Sequence, residues 1–290
     1  MIRLQQKLER HNIFVKVIRI ITVPLLNLLP SRFIKLFMKK SSKDASTVVA
    51  KGGSTHALEA MYNRYHRKLF SRGILQGCSD ILWHHIVSQP KALRNRLKIV
   101  KDVLYNKVTY IFDNYGYRDI SILSIAGGSS RSIIYMIQDL NMKKGINNNI
   151  HVITVDKDQA ALDVGKDVAK ELKLQDHFEW LCGNVYDIEK HFSTRRFDII
   201  EIVGLLDYFD FDRSVKLLKL SHQLMNDKGF IIIANVMPNS EMPFVHKTGW
   251  PNMYYRSIKD IESLLNSSNF NNSDIIIEPM KIHCIGVGQK

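Results

Sequence analysis

Cysteine is scarce in this chain of 290 residues: Cys78, Cys182 and Cys284 are scattered, with no CxxC pair and no close Cys/His cluster. That argues against a disulfide framework and against a structural zinc, so no metal site is expected, and it suits a reducing cytoplasm. His84 and His85 are adjacent; on a helix they would point about 100° apart and make a poor metal pair. Long apolar runs are also missing from the N-terminal region. The longest uncharged run there, Ile20–Ser31, is interrupted by Pro24 and Pro30 and is too short to span a bilayer. A cleavable signal peptide is not expected, because the apolar region starts late, is broken by Lys16 and Arg19, and lacks a small-x-small site. No internal repeat is evident.

Acid is nearly absent from the first 43 residues. They hold ten Lys/Arg against one acid, Glu9, which is +9 of the chain's +13. Apolar clusters such as Ile13-Phe14-Val15, Ile20-Ile21 and Leu36-Phe37-Met38 lie between the charges. Two readings of this arm (1–43) stand. It lies on an anionic membrane surface with its basic stems snorkelling, or it is a basic cap packed on the rest of the protein. The apolar content is too high for a nucleic-acid arm, and no RNA-binding module pattern is present.

What is present beyond the arm is an alternation of helix and strand. Residues Lys43–Thr55, rich in Ser, Gly and Lys, read as a linker or an active-site lid. Residues 44–115 as a whole read as a helical cap or lid region, with Pro90 at a helix start and Ala57, Met61, Tyr65 and Leu69 at helical spacing. From 116 to 290 the pattern changes. Apolar runs at Ile120–Ile125, Ile150–Asp156, Phe178–Leu181, Phe197–Val203 and Gly229–Asn235 alternate with helical stretches, which predicts a parallel sheet covered on both faces. Asp274–Glu278 and Lys281–Val287 are separated only by Pro279-Met280. Two residues cannot make a parallel crossover, so this pair is predicted to be an antiparallel hairpin and the sheet to have seven strands. Polar loops are expected at 146–149 and 269–273.

The first of these strands runs into a turn of small residues, Ala126–Ser130, and then into a helix. That is a cradle for a nucleotide-like ligand, because small residues admit a close approach and the helix start offers unpaired N–H groups. An acid, Asp156, ends the second strand, where it can accept hydrogen bonds from ribose hydroxyls. From Tyr117 to the C-terminus the ordered set of elements resembles the class I S-adenosylmethionine (SAM)-dependent methyltransferases. The resemblance implies a Rossmann-like α/β fold and SAM as cofactor. It maps the family's glycine loop to Ala126, Gly128 and Ser130, two of them no longer glycine, with Ser124 where an acid is common. Asp156 takes the ribose position, and Gly183-Asn184-Val185 takes the place beside the adenine. Lys157 and Gly204 complete the implied cofactor set. A narrower resemblance rests on Ala92–Leu97, Gly204-Leu205-Leu206-Asp207-Tyr208 and Trp250-Pro251-Asn252-Met253-Tyr254-Tyr255-Arg256. These look like a bacterial subgroup of the family, some of whose members are linked to methyl esters of hydroxylated fatty acids.

A SAM-dependent enzyme mainly has to align acceptor, methyl and sulfur and exclude water. The resemblance places the acceptor at the ends of strands four and five, near Asp207, Tyr208, Asn235, His246, Trp250, Tyr254, Tyr255 and Arg256. His246 is the expected base, Tyr208 an aromatic wall with a hydroxyl, and Arg256 the expected clamp for an anionic acceptor. Each has a plainer alternative: Asp156 as a helix cap, Asn184 as a turn residue, Asp207 as a cap, His246 as a solvated loop residue, Arg256 paired with Asp260. The reading is a methyltransferase acting on a small or lipid-like acceptor at an oxygen. Two alternatives stand beside it: an aminopropyl or aminocarboxypropyl transferase on the same fold, and a non-catalytic SAM-binding partner subunit.

Overall fold

Four runs rich in Ile and Val, at Ile120–Ile125, Ile150–Asp156, Phe197–Val203 and Gly229–Asn235, are too apolar to face water on either side and are the reason the chain builds a covered sheet. The computed structural model describes residues 6–41, 43–62, 73–116, 119–144 and 150–290. Its strands are β1 (Ile120–Ile125), β2 (Ile150–Asp156), β3 (Phe178–Cys182), β4 (Phe197–Val203), β5 (Met225–Val236), β6 (Asn271–Ile277) and β7 (His283–Gln289). They form one sheet in the order β3-β2-β1-β4-β5-β7-β6. The first five are parallel, and β7 runs antiparallel to both β5 and β6. This is a Rossmann-like α/β fold whose seven-stranded sheet ends in antiparallel C-terminal strands.

Alternate residues of each strand feed two cores. On one face α6 (Gln89–Tyr115), α7 (Arg131–Lys144) and α8 (Gln159–Glu171) cover Ile120, Ile122, Val152, Ile199, Ile232 and Ile285. On the other, α9 (Ile188–His191), α10 (Phe211–Gln223) and α12 (Ile258–Ser267) cover Leu123, Ile153, Ile200, Ile231 and Ile233. Burying one such side chain fully contributes roughly 1.5–3 kcal/mol, so these two layers dominate the stability.

Helix α6 packs along the sheet through Ile99, Val103, Leu104, Val108 and Ile111, as an integral layer of the core. The stretch Lys43–Thr55, read as a linker or an active-site lid, forms helix α3 (Lys43–Ala50), followed by a turn in which Gly53, at φ +79°, packs on Pro251. Helices α4 (Thr55–Tyr62), with Ala57 and Met61 buried, and α5 (Ile74–Ile81) follow. Tyr65, Leu69 and the loop 146–149 lie outside the described residues. The C-terminal pair is the predicted antiparallel hairpin, with a wider connection than Pro279-Met280. The carboxylate of Glu278 accepts from the amides of Met280 (2.6 Å) and Ile282 (2.7 Å), so it takes over bonds the ladder would otherwise supply.

The basic N-terminal arm forms α1 (Ile13–Leu28) and α2 (Ser31–Ser41). One face of each helix packs on the protein. Val23, Ile34 and Met38 are buried, Arg19 pairs with Glu241 at 2.6 Å, and Asn27 bonds to Ser240 and Phe244 on the segment carrying α11 (Met242–Thr248). Among the described residues no single helix is long and apolar enough to cross a membrane.

Candidate active site at the carboxyl ends of the strands

The turn after β1 is held in a conformation that glycine would adopt more easily. Ala126 (φ 52°) and Ser130 (φ 46°) are left-handed, as is Gly128 (φ 54°). Side chains there cost about 1–2 kcal/mol. Internal bonds offset that cost. The Ser130 hydroxyl bonds to that of Thr154 at 2.8 Å, and the amide of Gly128 donates to Asp156 at 2.8 Å. Ala126→Gly is therefore expected to raise the stability by about 1 kcal/mol, read as the midpoint shift in urea unfolding; a lowered midpoint would contradict the strain argument.

Asp156 is not a helix cap; that position belongs to Asp158, whose side chain accepts from Ala160. Its second oxygen accepts from the amide of Asp158 at 2.9 Å, so the carboxylate ties the end of β2 to the glycine loop. Asn184 caps the short turn Val185–Asp187 through the amide of Tyr186.

These elements open on one cavity of about 450 Å³. One end is lined by Ala126–Ser132, Asp156, Lys157, Gly183, Asn184, Val185 and Gly204, which is the expected cofactor set save Ser124. Ser124 is buried instead and donates to Glu201 at 2.8 Å; the two residues are register partners on β1 and β4. An acid absent from β1 is thus supplied from the next strand. Glu201 lines the cavity, also accepts from Ser132 at 2.6 Å, and is raised above the usual carboxylate range, chiefly by burial.

The other end is apolar: Val48, Leu58, Met61, Trp83, Phe244 and Trp250 line it. Helix α4 is fastened over the loop by Glu59, which pairs with the guanidinium of Arg131 and accepts from Ser129 at 3.0 Å. Of the expected acceptor residues, Asp207, Tyr208 and Trp250 reach the wall. The indole of Trp250 donates to the Tyr208 hydroxyl at 3.1 Å, and burial, foremost, pushes the Tyr208 phenol up to about 12.

Five others do not reach it. His246, the expected base, is exposed on α11, because the buried face of that helix is carried by Phe244 and Thr248. Arg256, the expected clamp, is committed internally. Its guanidinium donates to Leu206 O (2.6 Å), Asn235 Oδ1 (2.6 Å), Ser214 Oγ (3.1 Å) and Phe209 O. Asn235 is buried and donates to Tyr254 O at 2.9 Å. Tyr254 is exposed, its ring beside Arg256, and Tyr255 packs against Ala92, Val236 and Ile282. Arg256 is not paired with Asp260, which closes the capping box of α12 with Ser257.

Two charged or polar groups on the wall were missed by the sequence reading. Arg96 is 4% exposed, and its Nε has no partner. Its amino groups stand 3.5 and 3.8 Å from where a Cβ on Gly204 would lie. His283 is buried with its Nδ1 unpartnered, and burial holds it well below its ordinary value, so the ring is neutral. Both had a signal. Leu93, Arg96, Leu97 and Val100 share one helical face, so Arg96 interrupts an apolar stripe, as Glu201 interrupts the apolar run of β4. Arg96 lowers the carboxyls of Asp207 and Glu201, against the dominant upward push of burial on each. Among the described residues no His/Cys/Asp/Glu group could hold a metal ion.

The residues present fit SAM as cofactor. Small residues leave room at the loop, the carboxylate of Asp156 stands where the resemblance expects the ribose, and the cavity volume lies in the range of ligand sites.

No family model and no curated protein matches the sequence. Solved structures do match in fold. A "possible exported protein" of Bordetella parapertussis superposes with a TM-score of 0.69 at 12% identity, over 95% of this chain and 94% of that one. An O-methyltransferase family protein of Burkholderia thailandensis gives 0.54 at 12% identity, over 86% of this chain and 63% of that one. Magnesium protoporphyrin IX methyltransferase of Synechocystis, with bound SAH, gives 0.50 at 10% identity, over 69% and 85%. The architecture of this chain is therefore similar to that of class I SAM-dependent methyltransferases.

Proposed function

We propose that the protein is a SAM-dependent methyltransferase acting at an oxygen of a small or lipid-like acceptor. The observation that carries this is the single cavity that joins the loop and Asp156 at one end to an apolar chamber at the other. When bound, SAM supplies an electrophilic methyl group. The protein's part is to hold the two ligands and keep water out.

Asp156 orients the nucleoside. The walls from Trp83, Phe244 and Trp250 exclude water and suit an acceptor with an apolar body. Arg96 takes the clamp role first expected of Arg256. A charged donor kept 4% exposed gains most from an oxyanion, whether of a carboxylate or of an acidic hydroxyl. Such an acceptor needs no strong base, and His283, held neutral by burial, acts there as a hydrogen-bonding group. Arg96, Arg131 and Lys157 match Asp156, Glu201 and Asp207 in number on the wall, and Glu201 and Asp207 are the carboxyls that burial raises.

That last point gives a test. Glu201 and Asp207 stand above the usual carboxylate range, and a cationic ligand favours their ionised forms. SAM binding should therefore release protons, and its affinity should rise with pH through the raised carboxylate values. SAH lacks the sulfonium charge and should show a weaker dependence. Calorimetry in buffers of different ionisation heat reads both. Incubation of methyl-labelled SAM with a cell-lipid extract should move label into the organic phase. No heat with either ligand would overturn the cofactor assignment; binding without label transfer would favour the partner-subunit alternative.

A further inference from the structure

Helices α1 and α2 carry two opposed apolar faces, and the protein itself covers only one of them. The covered face bears Val23, Ile34 and Met38. On the other, Ile13 (80% exposed), Phe14, Val17, Ile20 (73%), Ile21, Leu25 and Leu28 (79%) form a stripe along α1, continued on α2 by Phe33 (63%), Leu36 and Phe37. Ten of the eighteen large hydrophobic side chains exposed among the described residues fall in this one stretch. Scattered apolar residues on a surface need no explanation, but a continuous strip of this kind marks a contact.

Charge says what the contact is. Between Ile13 and Ser41 the chain has six Lys/Arg and no acid. Lys16, Arg32, Lys39 and Lys40 are exposed beside the apolar strip. We propose that this face docks the protein on an anionic bilayer, with Phe14, Ile20 and Phe33 at the headgroup–acyl boundary and the basic side chains against lipid phosphates. A second copy of the chain is the poorer occupant. A two-fold contact would set these cations against their own equivalents with no acid in either helix to answer them.

The geometry makes this a surface contact and not a crossing. The two helices are bent 114° from one another. Their inner faces are fixed to the protein by Arg19–Glu241, Asn27–Phe244 and the Ser31 hydroxyl on Lys247 O. The docking face also lies close to the site. Ile34 and Met38 belong to the apolar cluster that includes Trp83, Leu93 and Phe244 of the cavity wall. One helical layer thus separates the cavity's apolar end from the docked surface.

The test is flotation of the full chain with vesicles of phosphatidylcholine alone and of phosphatidylcholine mixed with phosphatidylglycerol. The wild type should float with the mixed vesicles and far less with the neutral ones. Ile20→Asp/Phe33→Asp, both at exposed positions, should stay in the bottom fraction with an unchanged melting midpoint. Lys16→Gln/Lys39→Gln/Lys40→Gln should weaken partitioning by about fivefold per charge removed. A wild type that does not float, or an Asp variant that floats equally, overturns the proposal. So does a wild-type dimer in sedimentation that the Asp variant dissolves while neither floats, since the strip would then be a contact between copies. Docking does not depend on the methyltransferase reading, and SAM titration of the same preparations separates the failure of one from that of the other.

Discussion

Arg256→Met should lose about 3–5 kcal/mol of folding stability while leaving SAM affinity within a few-fold of wild type. The guanidinium is nearly enclosed and donates to four oxygens: two backbone carbonyls of the segment after β4, the Asn235 amide at the end of β5, and a serine of α10. Methionine fills much of the volume but donates nothing. The carbonyls of Leu206 and Phe209 would then be buried without a partner, which is costlier than never having had the bond. Against a typical total of about 5–15 kcal/mol this is a large fraction. Arg256→Lys should fall between, since a point charge cannot serve a planar fork of acceptors. Urea unfolding reads the loss. An unchanged midpoint in the Met variant, or a collapse of SAM binding with stability intact, would return Arg256 to the site.

The same bonds explain two sequence stretches that stand out without an evident role. Gly204–Tyr208 and Trp250–Arg256 interlock. Besides the Arg256 bonds, Asp207 Oδ1 accepts from the amide of Val236 at 2.8 Å, and the amide of Tyr254 donates to Asp207 O at 2.7 Å. A buried acid and a buried arginine therefore fix the loop after β4 against the end of β5, and Tyr208 and Trp250 are presented to the cavity as a result. The two stretches frame the wall more than they supply its chemistry.

The sheet was legible because its strands are apolar runs whose period and spacing leave one arrangement. The loop end of the cavity was legible for a related reason: loop, acid and turn residues follow their strands directly, so sequence order places them along one wall. The apolar end was not. His246 and Arg256 were assigned from proximity in sequence to β5, but which way a side chain faces depends on tertiary packing that local sequence does not encode. Arg96 and Glu201 carried the opposite signal, charge inside an apolar pattern. Arg96 is brought to the site by α6 from well before β1, and Glu201 makes good the acid missing at Ser124 through strand pairing. The arm shows a third case. Its membrane and packing readings are compatible, since each helix has two faces and packing uses only one.

Asp156→Ala should lower the affinity for SAM and for SAH alike, by roughly a hundredfold or more. The loss of two charge-assisted hydrogen bonds to the ribose, each about 1.5–3 kcal/mol, sets that scale. Equal loss for both ligands is the expectation because the ribose is common to them, in contrast with the pH dependence carried by Glu201 and Asp207. Asp156 also holds the amides of Gly128 and Asp158. Part of the effect will therefore come from a loosened loop, and the two contributions can be separated. Methylthioadenosine and its 2′-deoxy form, titrated against wild type and variant, make a double cycle. If the carboxylate binds the ribose, removing the hydroxyl weakens binding to the wild type and has almost no further effect on Asp156→Ala. If the carboxylate only shapes the loop, the hydroxyl costs the same in both proteins. Asp156→Asn keeps one acceptor oxygen but turns an amide toward one of the two backbone donors, so it should lie between wild type and Ala in both affinity and unfolding midpoint. Unchanged SAM affinity in Asp156→Ala would remove the carboxylate from the cofactor site and, with it, the main support for assigning that end of the cavity to the nucleoside.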